Sequence, residues 1–148
     1  MNRILVTGCG GIGGVNFVRA LRFAQIIEPF PKFYILGTDF NQYYIRFAET
    51  DQSLRTPRHS DPTFTQTLEG LVKKNGIEFL HPNPSSEARV VRQSLEGELF
   101  HGARTLMPAL DAIAPKKDEM KAKLAGPDAM SLGKAIHELR PDMDSKAA

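Results

Sequence analysis

A cluster of glycines near the N-terminus constrains the fold of this sequence more than any other feature. Residues 3–16 read RILVTGCGGIGGVN, a short apolar run followed by Thr7 and then by closely spaced glycines: Gly8, Gly10, Gly11, Gly13 and Gly14. Glycine allows positive φ and lets a ligand or another backbone approach closely. The pattern predicts a buried strand, a tight turn and a helix start, whose free N–H groups and dipole favour an anion.

Two overlapping fingerprints in this stretch leave the ligand open. GxGxxG is met by Gly8, Gly10 and Gly13, whereas TGxxGxxG is met by Thr7, Gly8, Gly11 and Gly14. Both are typical of the first strand–turn–helix unit of a Rossmann-like fold. A simpler interpretation is that Gly10, Gly11 and Gly13 only allow the strand and the helix to pack closely.

The rest of the chain alternates strands and helices. We expect further strands at 33–38, 53–56, 77–80 and 103–107, and helices at 13–23, 61–74, from residue 85, at 109–114 and at 115–124. Asp61 and Ser85 are the expected N-caps, and residues 81–84 a stiff turn. This order predicts an α/β fold, a Rossmann-like three-layer sandwich with a mostly parallel sheet of at least four strands.

Composition excludes several classes of protein. The chain has 148 residues and a net charge of +2, with its basic residues scattered, so nucleic acid is not an expected partner. No apolar stretch has the length of a membrane span. The single cysteine, Cys9, excludes an intrachain disulfide and suits a reducing compartment, so we expect a cytoplasmic protein.

Polar residues follow two of the predicted strands at the edge where open α/β sheets bind ligands. The predicted substrate- or anion-binding set is Gly8, Gly10, Gly11, Gly13, Gly14, Asp39, Asn41, Asn83, Ser85 and Glu87. Asp39 either meets a ribose hydroxyl or caps the following helical turn. Ser85 also suits the role of a plain helix cap, and Glu87 also suits a carboxylate that interacts with the helix dipole in the first turn. No metal site and no catalytic residue are predicted.

Three basic residues and the cysteine have both functional and structural interpretations. Arg55, Arg58 and His59 could meet a phosphate, but a solvated loop is the simpler interpretation. Cys9 stands beside a helix N-terminus, which can lower a thiol pKa, yet it also suits the role of a small apolar residue.

The order of the motifs resembles the N-terminal pre-ATP-grasp domain of ATP-grasp enzymes, most closely the carbamoyl-phosphate-synthase-like members. The matching stretches are ILVTGCGGIGGVN, ILGTDFN, PRHSDPTF, GIEFLHPNPSSE and TLMPALDAIAPKKDEMKAKL. The resemblance covers residues 1–124; residues 125–148, a predicted C-terminal helix and tail, do not resemble the family. Where the family carries Asp-Lys, this chain has Asp118-Glu119, and no ATP-grasp lobes follow, so a fragment, a truncated product or a free-standing domain is expected.

The resemblance implies an ATP-dependent carboxylate–amine ligase. In the parent enzymes ATP and Mg²⁺ belong to the ATP-grasp lobes, and this domain forms the wall that touches a carboxylate or bicarbonate. We expect this chain alone to be inactive and to bind no cofactor tightly. The expected partners are the missing lobes or a partner chain, and a homodimer is a further expectation.

Two other functions remain open. The first is an NAD(P)-binding domain of the short-chain dehydrogenase or epimerase type, which the TGxxGxxG pattern and Asp39 suit. That family needs Tyr-x-x-x-Lys, but the fourth residue after each tyrosine here is Thr38, Phe47 or Ala48. The second is a non-catalytic binding or assembly module, which would expose an apolar face to a partner.

Overall fold

The structure is a computed structural model that describes residues 1–27, 32–105 and 107. Within these residues strands and helices alternate along the chain. The elements are β1 (Asn2–Thr7), α1 (Ile12–Ile27), β2 (Phe33–Asp39), a short 3₁₀-helix (Tyr44–Arg46), β3 (Gln52–Arg55), α2 (Phe64–Asn75), β4 (Phe79–Pro82), α3 (Ser85–Gln93), β5 (Leu99–Phe100) and β6 (Ala103–Arg104). The predicted α/β class is confirmed.

The described strands form one sheet in the order β3-β2-β1-β4-β6-β5. Every neighbouring pair is parallel except β5 and β6, which form an antiparallel hairpin. Thr7 at the end of β1 lies opposite Thr38 of β2 and Pro82 of β4. The three central strands therefore end together, and the segments that follow them share one edge of the sheet.

Successive side chains of β1 point to opposite faces of the sheet and pack into two separate hydrophobic clusters. Ile4 and Val6 belong to the same buried cluster as Val18 of α1. Leu5 belongs to a second cluster with Leu68 of α2 and Val91 of α3. The sheet is thus covered on both faces, as a Rossmann-like three-layer sandwich requires, and burial of these apolar side chains is the main force that stabilises it.

The predicted strand at 77–80 was placed two residues too early. After Gly76, which takes the left-handed conformation (φ 58°), the N–H of Ile77 donates to the carbonyl of Val72 and closes helix α2. The strand therefore begins at Phe79 and includes His81 and Pro82, which the sequence had assigned to a turn. Pro82 is the last residue of β4 and lies opposite Thr7, at the carboxyl edge of the sheet.

Two predicted helix caps were also wrong. Asp61 accepts hydrogen bonds from the N–H and hydroxyl of Thr63, which forms a turn before α2, and the helix begins at Phe64. In α3 the capping position belongs to Pro84, whose carbonyl accepts from Ala88, so Ser85 is the first helical residue. Side-chain capping competes with local turns of similar energy, which is why the sequence did not decide between them.

The last predicted strand, 103–107, is shorter and belongs to a hairpin. His101 and Gly102 both have positive φ (47° and 91°), as the two-residue turn of a tight hairpin needs. Helix α1 continues to Ile27 rather than ending at residue 23. The predictions for residues 108–148 lie outside the described residues. No helix within the described residues is both long and apolar enough to cross a membrane.

Candidate functional site

The glycine turn joins β1 to α1 and is tied to the neighbouring strand. Gly8 has a φ of 56°, a conformation that glycine adopts without strain. The N–H of Cys9 donates to the carbonyl of Thr38 at 3.0 Å, which fixes the turn to the end of β2. The first helical hydrogen bond of α1 runs from Val15 to Gly11 at 2.9 Å. The N-terminal N–H groups of α1 therefore lie at the carboxyl edge of the sheet.

Three of the predicted ligand-binding glycines are packed against protein. A Cβ on Gly8 would collide with the ring of Pro84, and a Cβ on Gly10 with the carbonyl of Tyr44. A Cβ on Gly14 would lie 2.5 Å from the carbonyl oxygen of Gly8. At these positions glycine is required by close packing of the chain on itself. Of the glycines with a packing interpretation in the sequence, only Gly10 is in this group, and it packs on Tyr44 rather than between the strand and the helix.

The remaining two glycines are exposed at the edge. A Cβ on Gly11 would have ordinary contact, 3.5 Å from the carbonyl oxygen of Gly8. A Cβ on Gly13 would lie 2.7 Å from the side-chain oxygen of Asn83. Gly11 is therefore the glycine whose side of the turn stays open, whereas Gly13 faces the residue that follows β4.

Asp39 is buried and its carboxylate is used within the protein. One oxygen accepts from the N–H of Gly10 at 3.0 Å, the other from the N–H of Asn41 at 2.9 Å, and the residue is 5% exposed. The Asn41 side chain in turn accepts from the N–H of Tyr43. Asp39 therefore orders the turn after β2. It does not cap the following 3₁₀-helix, whose capping position belongs to Tyr43, and both of its carboxylate oxygens already accept from backbone N–H groups.

The segment after β2 also covers one side of the glycine turn. The Tyr44 backbone lies directly against Gly10, and Tyr44 stacks with Phe47 at 5.6 Å between ring centroids. This packing closes the β2 side of the turn, where a dinucleotide of a Rossmann fold crosses the glycines. The open part of the edge lies between α1 and the residues after β4.

That open part brings together the N-termini of two helices. Asn83 donates from its side-chain nitrogen to the carbonyl of Gly8 at 3.5 Å, and the next residue, Pro84, packs on Gly8. Ser85, the first residue of α3, is exposed. Because both helices begin here, their unpaired N–H groups and positive dipole ends give this edge a preference for an anion.

A buried polar cluster lies under the glycine turn. Thr7 and Thr38 are neighbours across β1 and β2, and Glu87 of α3 is 4% exposed. Among the described residues the two hydroxyls and one carboxyl oxygen of Glu87 have no hydrogen-bond partner. The Thr7 hydroxyl is near enough to influence the carboxyl, although the pair does not form a hydrogen bond of normal geometry. Burying polar groups without hydrogen-bond partners is costly, so this cluster is the least satisfied part of the described interior.

Burial raises the pKa of Glu87 to about 6, with the Thr7 hydroxyl opposing the rise and the negative charge of Asp39 adding to it. A carboxyl with such a pKa exchanges its proton close to neutral pH. The sequence placed Glu87 in the first turn of α3 correctly, but it gave no reason to include the two threonines. Their one signal was a polar residue at the end of each of two apolar strands.

Cys9 is an interior residue. It is fully buried, and its sulfur would lie 2.8 Å from a Cβ on Gly37. Burial raises the pKa of the thiol to about 12, with the charge of Asp39 contributing to the rise. The helix N-terminus does not activate this thiol, so the structure agrees with its interpretation as a small apolar residue.

The structure separates the predicted site residues into four groups. Gly11, Gly13, Asn83 and Ser85 meet at the open edge, and Glu87 lies beneath the turn. Gly8, Gly10, Gly14 and Asp39 are in the packed interior. Asn41 instead lines a separate cleft with Arg55 and Arg58. Among the described residues no group of three or more His, Cys, Asp or Glu side chains could hold a metal ion.

Comparison of the sequence with models of known protein families and with curated proteins gave no match.

Proposed function

We propose that this chain is the substrate-side, N-terminal domain of an ATP-dependent carboxylate–amine ligase of the ATP-grasp type. The observation that carries the proposal is the meeting of the α1 and α3 N-termini beside Asn83. This edge offers backbone N–H donors to a small anion. A carboxylate, bicarbonate or acyl phosphate has the charge and size that such an edge favours.

The packing of the turn supports a small anion over a dinucleotide. Tyr44 covers Gly10, and Asp39 gives both carboxylate oxygens to backbone N–H groups. A nicotinamide dinucleotide needs an open glycine turn for its pyrophosphate and a free acidic side chain for its ribose. The chain also lacks the Tyr-x-x-x-Lys pair of the short-chain dehydrogenases.

The proposed role of the chain is to bind and orient. In ligases of this type a carboxylate is activated as an acyl phosphate and then attacked by an amine, with ATP and Mg²⁺ held by the ATP-grasp lobes. Because the resemblance places ATP and Mg²⁺ in the ATP-grasp lobes, we assign this chain no step in that transfer. We expect no ATPase or ligase activity from the chain alone. We also propose a cytoplasmic location, because the one cysteine of the chain is a free thiol, which suits a reducing compartment.

A non-catalytic docking module is a second candidate, and exposed apolar side chains beside the open edge favour it. Ile12 follows the turn directly, and Tyr43, Tyr44 and Phe47 follow β2; all four are exposed. Such a patch commonly marks a protein interface. Sedimentation would detect self-association through it, and a monomer at high concentration would argue against a homodimer.

The test of the proposed function is an NMR titration of the labelled chain with acetyl phosphate and with bicarbonate. We expect the largest amide shifts at Gly13 and Ser85, because these residues lie in the first turns of α1 and α3 at the open edge, whereas the N–H of Gly11 donates to the carbonyl of Gly8. NAD⁺ and NADPH form the comparison arm. Tight binding of either nicotinamide cofactor, or no response of these amides to either anion, would overturn the proposal.

Three glycine-to-alanine variants separate ligand approach from packing. Gly11→Ala should leave the fold intact yet weaken acetyl phosphate binding about fivefold or more, because its methyl group would stand over the open side of the turn. Gly10→Ala should lower the free energy of unfolding by about 1–3 kcal/mol, since its methyl group would meet the Tyr44 carbonyl. Gly70→Ala, on the exposed face of α2 with open space around it, is the matched control and should not weaken binding.

A further inference from the structure

A second cleft lies at the same edge of the sheet, beyond the ends of β2 and β3. Its volume is about 610 Å³, within the range of about 300–1,000 Å³ that small-molecule sites occupy. The residues that give it its chemistry are Phe40, Asn41, Tyr43, Arg55, Arg58 and Asp61. The glycine turn does not contribute to its lining, so it is distinct from the site of the proposed function.

Phe40 orients both arginines of this cleft. Its backbone carbonyl accepts a hydrogen bond from Nε of Arg55 at 3.1 Å, and its ring lies 4.3 Å from the guanidinium carbon of Arg58. The first contact leaves the terminal nitrogens of Arg55 available, and stacking leaves the N–H edge of Arg58 available. Two guanidinium groups are thus held in advance around one cavity.

The positive charge of the cleft is only partly offset within the described part of the chain. Neither Arg55 nor Arg58 forms an ion pair there. The one acidic residue of the lining, Asp61, accepts from the N–H and the hydroxyl of Thr63, at 2.8 and 2.6 Å. Two cations and one engaged carboxylate leave a net positive cleft, and arginine pairs of this kind bind carboxylate and phosphate oxygens in a fork.

We propose that this cleft binds a small organic molecule carrying a phosphate or a pair of carboxylates, with Arg55 and Arg58 as the oxyanion ligands. The cavity is larger than a free phosphate needs, and Tyr43 exposes most of its ring at the rim. An attached organic group therefore has an aromatic surface to lie against. His59 is exposed and does not line the cleft, so it is not part of the site.

Calorimetric titration of the full chain with three probes tests this site. The probes are inorganic phosphate, phenyl phosphate and succinate. We expect phenyl phosphate to bind more tightly than inorganic phosphate, because the ring adds contact with the aromatic rim. Succinate distinguishes the two ligand classes: binding tighter than phenyl phosphate assigns the site to dicarboxylates, and weaker binding assigns it to phosphate esters. No saturable binding of any probe would overturn the proposal.

Three variants test the residues. Arg55→Gln with Arg58→Gln should weaken binding about 100-fold or more, because each lost charged hydrogen bond costs about tenfold. Phe40→Leu keeps both charges but removes the stacking surface, and should weaken binding about two- to fivefold. Arg89→Gln, at an exposed position on α3, is the charge-matched control and should bind normally. If the double variant and the Arg89→Gln control lost the same binding affinity, the effect would come from the overall charge of the chain, and the proposal would be contradicted.

Discussion

The backbone N–H of Gly10 donates a 3.0 Å hydrogen bond to the buried carboxylate of Asp39. The two residues are 29 positions apart in the chain, and the bond joins the turn after β1 to the end of β2. Both residues belong to sequence patterns of dinucleotide-binding folds. Gly10 is a glycine of GxGxxG, and Asp39 is the acidic residue at the end of the second strand. In the fold the Gly10 N–H and the Asp39 carboxylate satisfy each other, so both fingerprint residues have a hydrogen-bond partner within the protein.

Asp39→Asn should destabilise the fold. Asparagine keeps one acceptor oxygen, but its amide group would point a donor at one of the two N–H groups that the carboxylate now satisfies. A buried, unpaired polar group of this kind costs about 1–3 kcal/mol, which denaturation by urea will measure. Asp61→Asn is the control, because that carboxylate is exposed and asparagine favours the same kind of turn, so little change is expected. If Asp39→Asn unfolds at the wild-type urea concentration, the Asp39 bonds do not stabilise the fold.

Glu87 should make stability depend on pH between its ordinary and its native pKa. Burial raises the pKa from 4.5 to about 6, so the native state binds the proton more tightly than the unfolded chain does. This contribution is complete below the lower value and is lost as the pH rises through the upper one. The difference of 1.5 pKa units corresponds to about 2 kcal/mol.

The measurement compares the wild type with Glu87→Gln by urea denaturation at about pH 4 and about pH 7.5. The wild type should lose about 2 kcal/mol relative to the variant between these conditions. Glu96→Gln, at an exposed position, should follow the wild type at both. A constant difference between wild type and Glu87→Gln would mean that Glu87 titrates alike in the folded and unfolded chain.

Cys9 should be unreactive in the native protein. The thiol is fully buried, and burial raises its pKa to about 12, so almost no thiolate is present or accessible near neutral pH. We expect a disulfide reagent such as DTNB to modify the native chain at least about 100-fold more slowly than the chain in guanidinium chloride. Because the chain has one cysteine, the signal reports this position alone. Equally rapid modification of both would show that the turn opens readily.

Part of the candidate site followed from the sequence. Gly11 and Gly13, at the start of α1, and Asn83 and Ser85, before and at the start of α3, were predicted to stand at strand ends, and they meet there. Nothing in the sequence singles out Thr7 and Thr38, because only the register of β1 and β2 sets these two residues side by side. For Arg55 and Arg58 the sequence favours a solvated loop. The contacts that orient these side chains at the cleft come from Phe40, which is 15 residues away from Arg55.

The sequence by itself determined the alternation of strands and helices and the glycine turn that opens the fold. Hydrophobic periodicity and the unusual backbone freedom of glycine are local properties that can be read from the sequence alone. Only the tertiary structure decided what the turn can accommodate. Tyr44 packs on Gly10, Pro84 packs on Gly8, and Asp39 accepts from Gly10, and each of these contacts joins segments far apart in the chain. A glycine in such a turn can allow either a ligand or another part of the chain to approach closely. The atoms that occupy the space beside each glycine decide between these two roles.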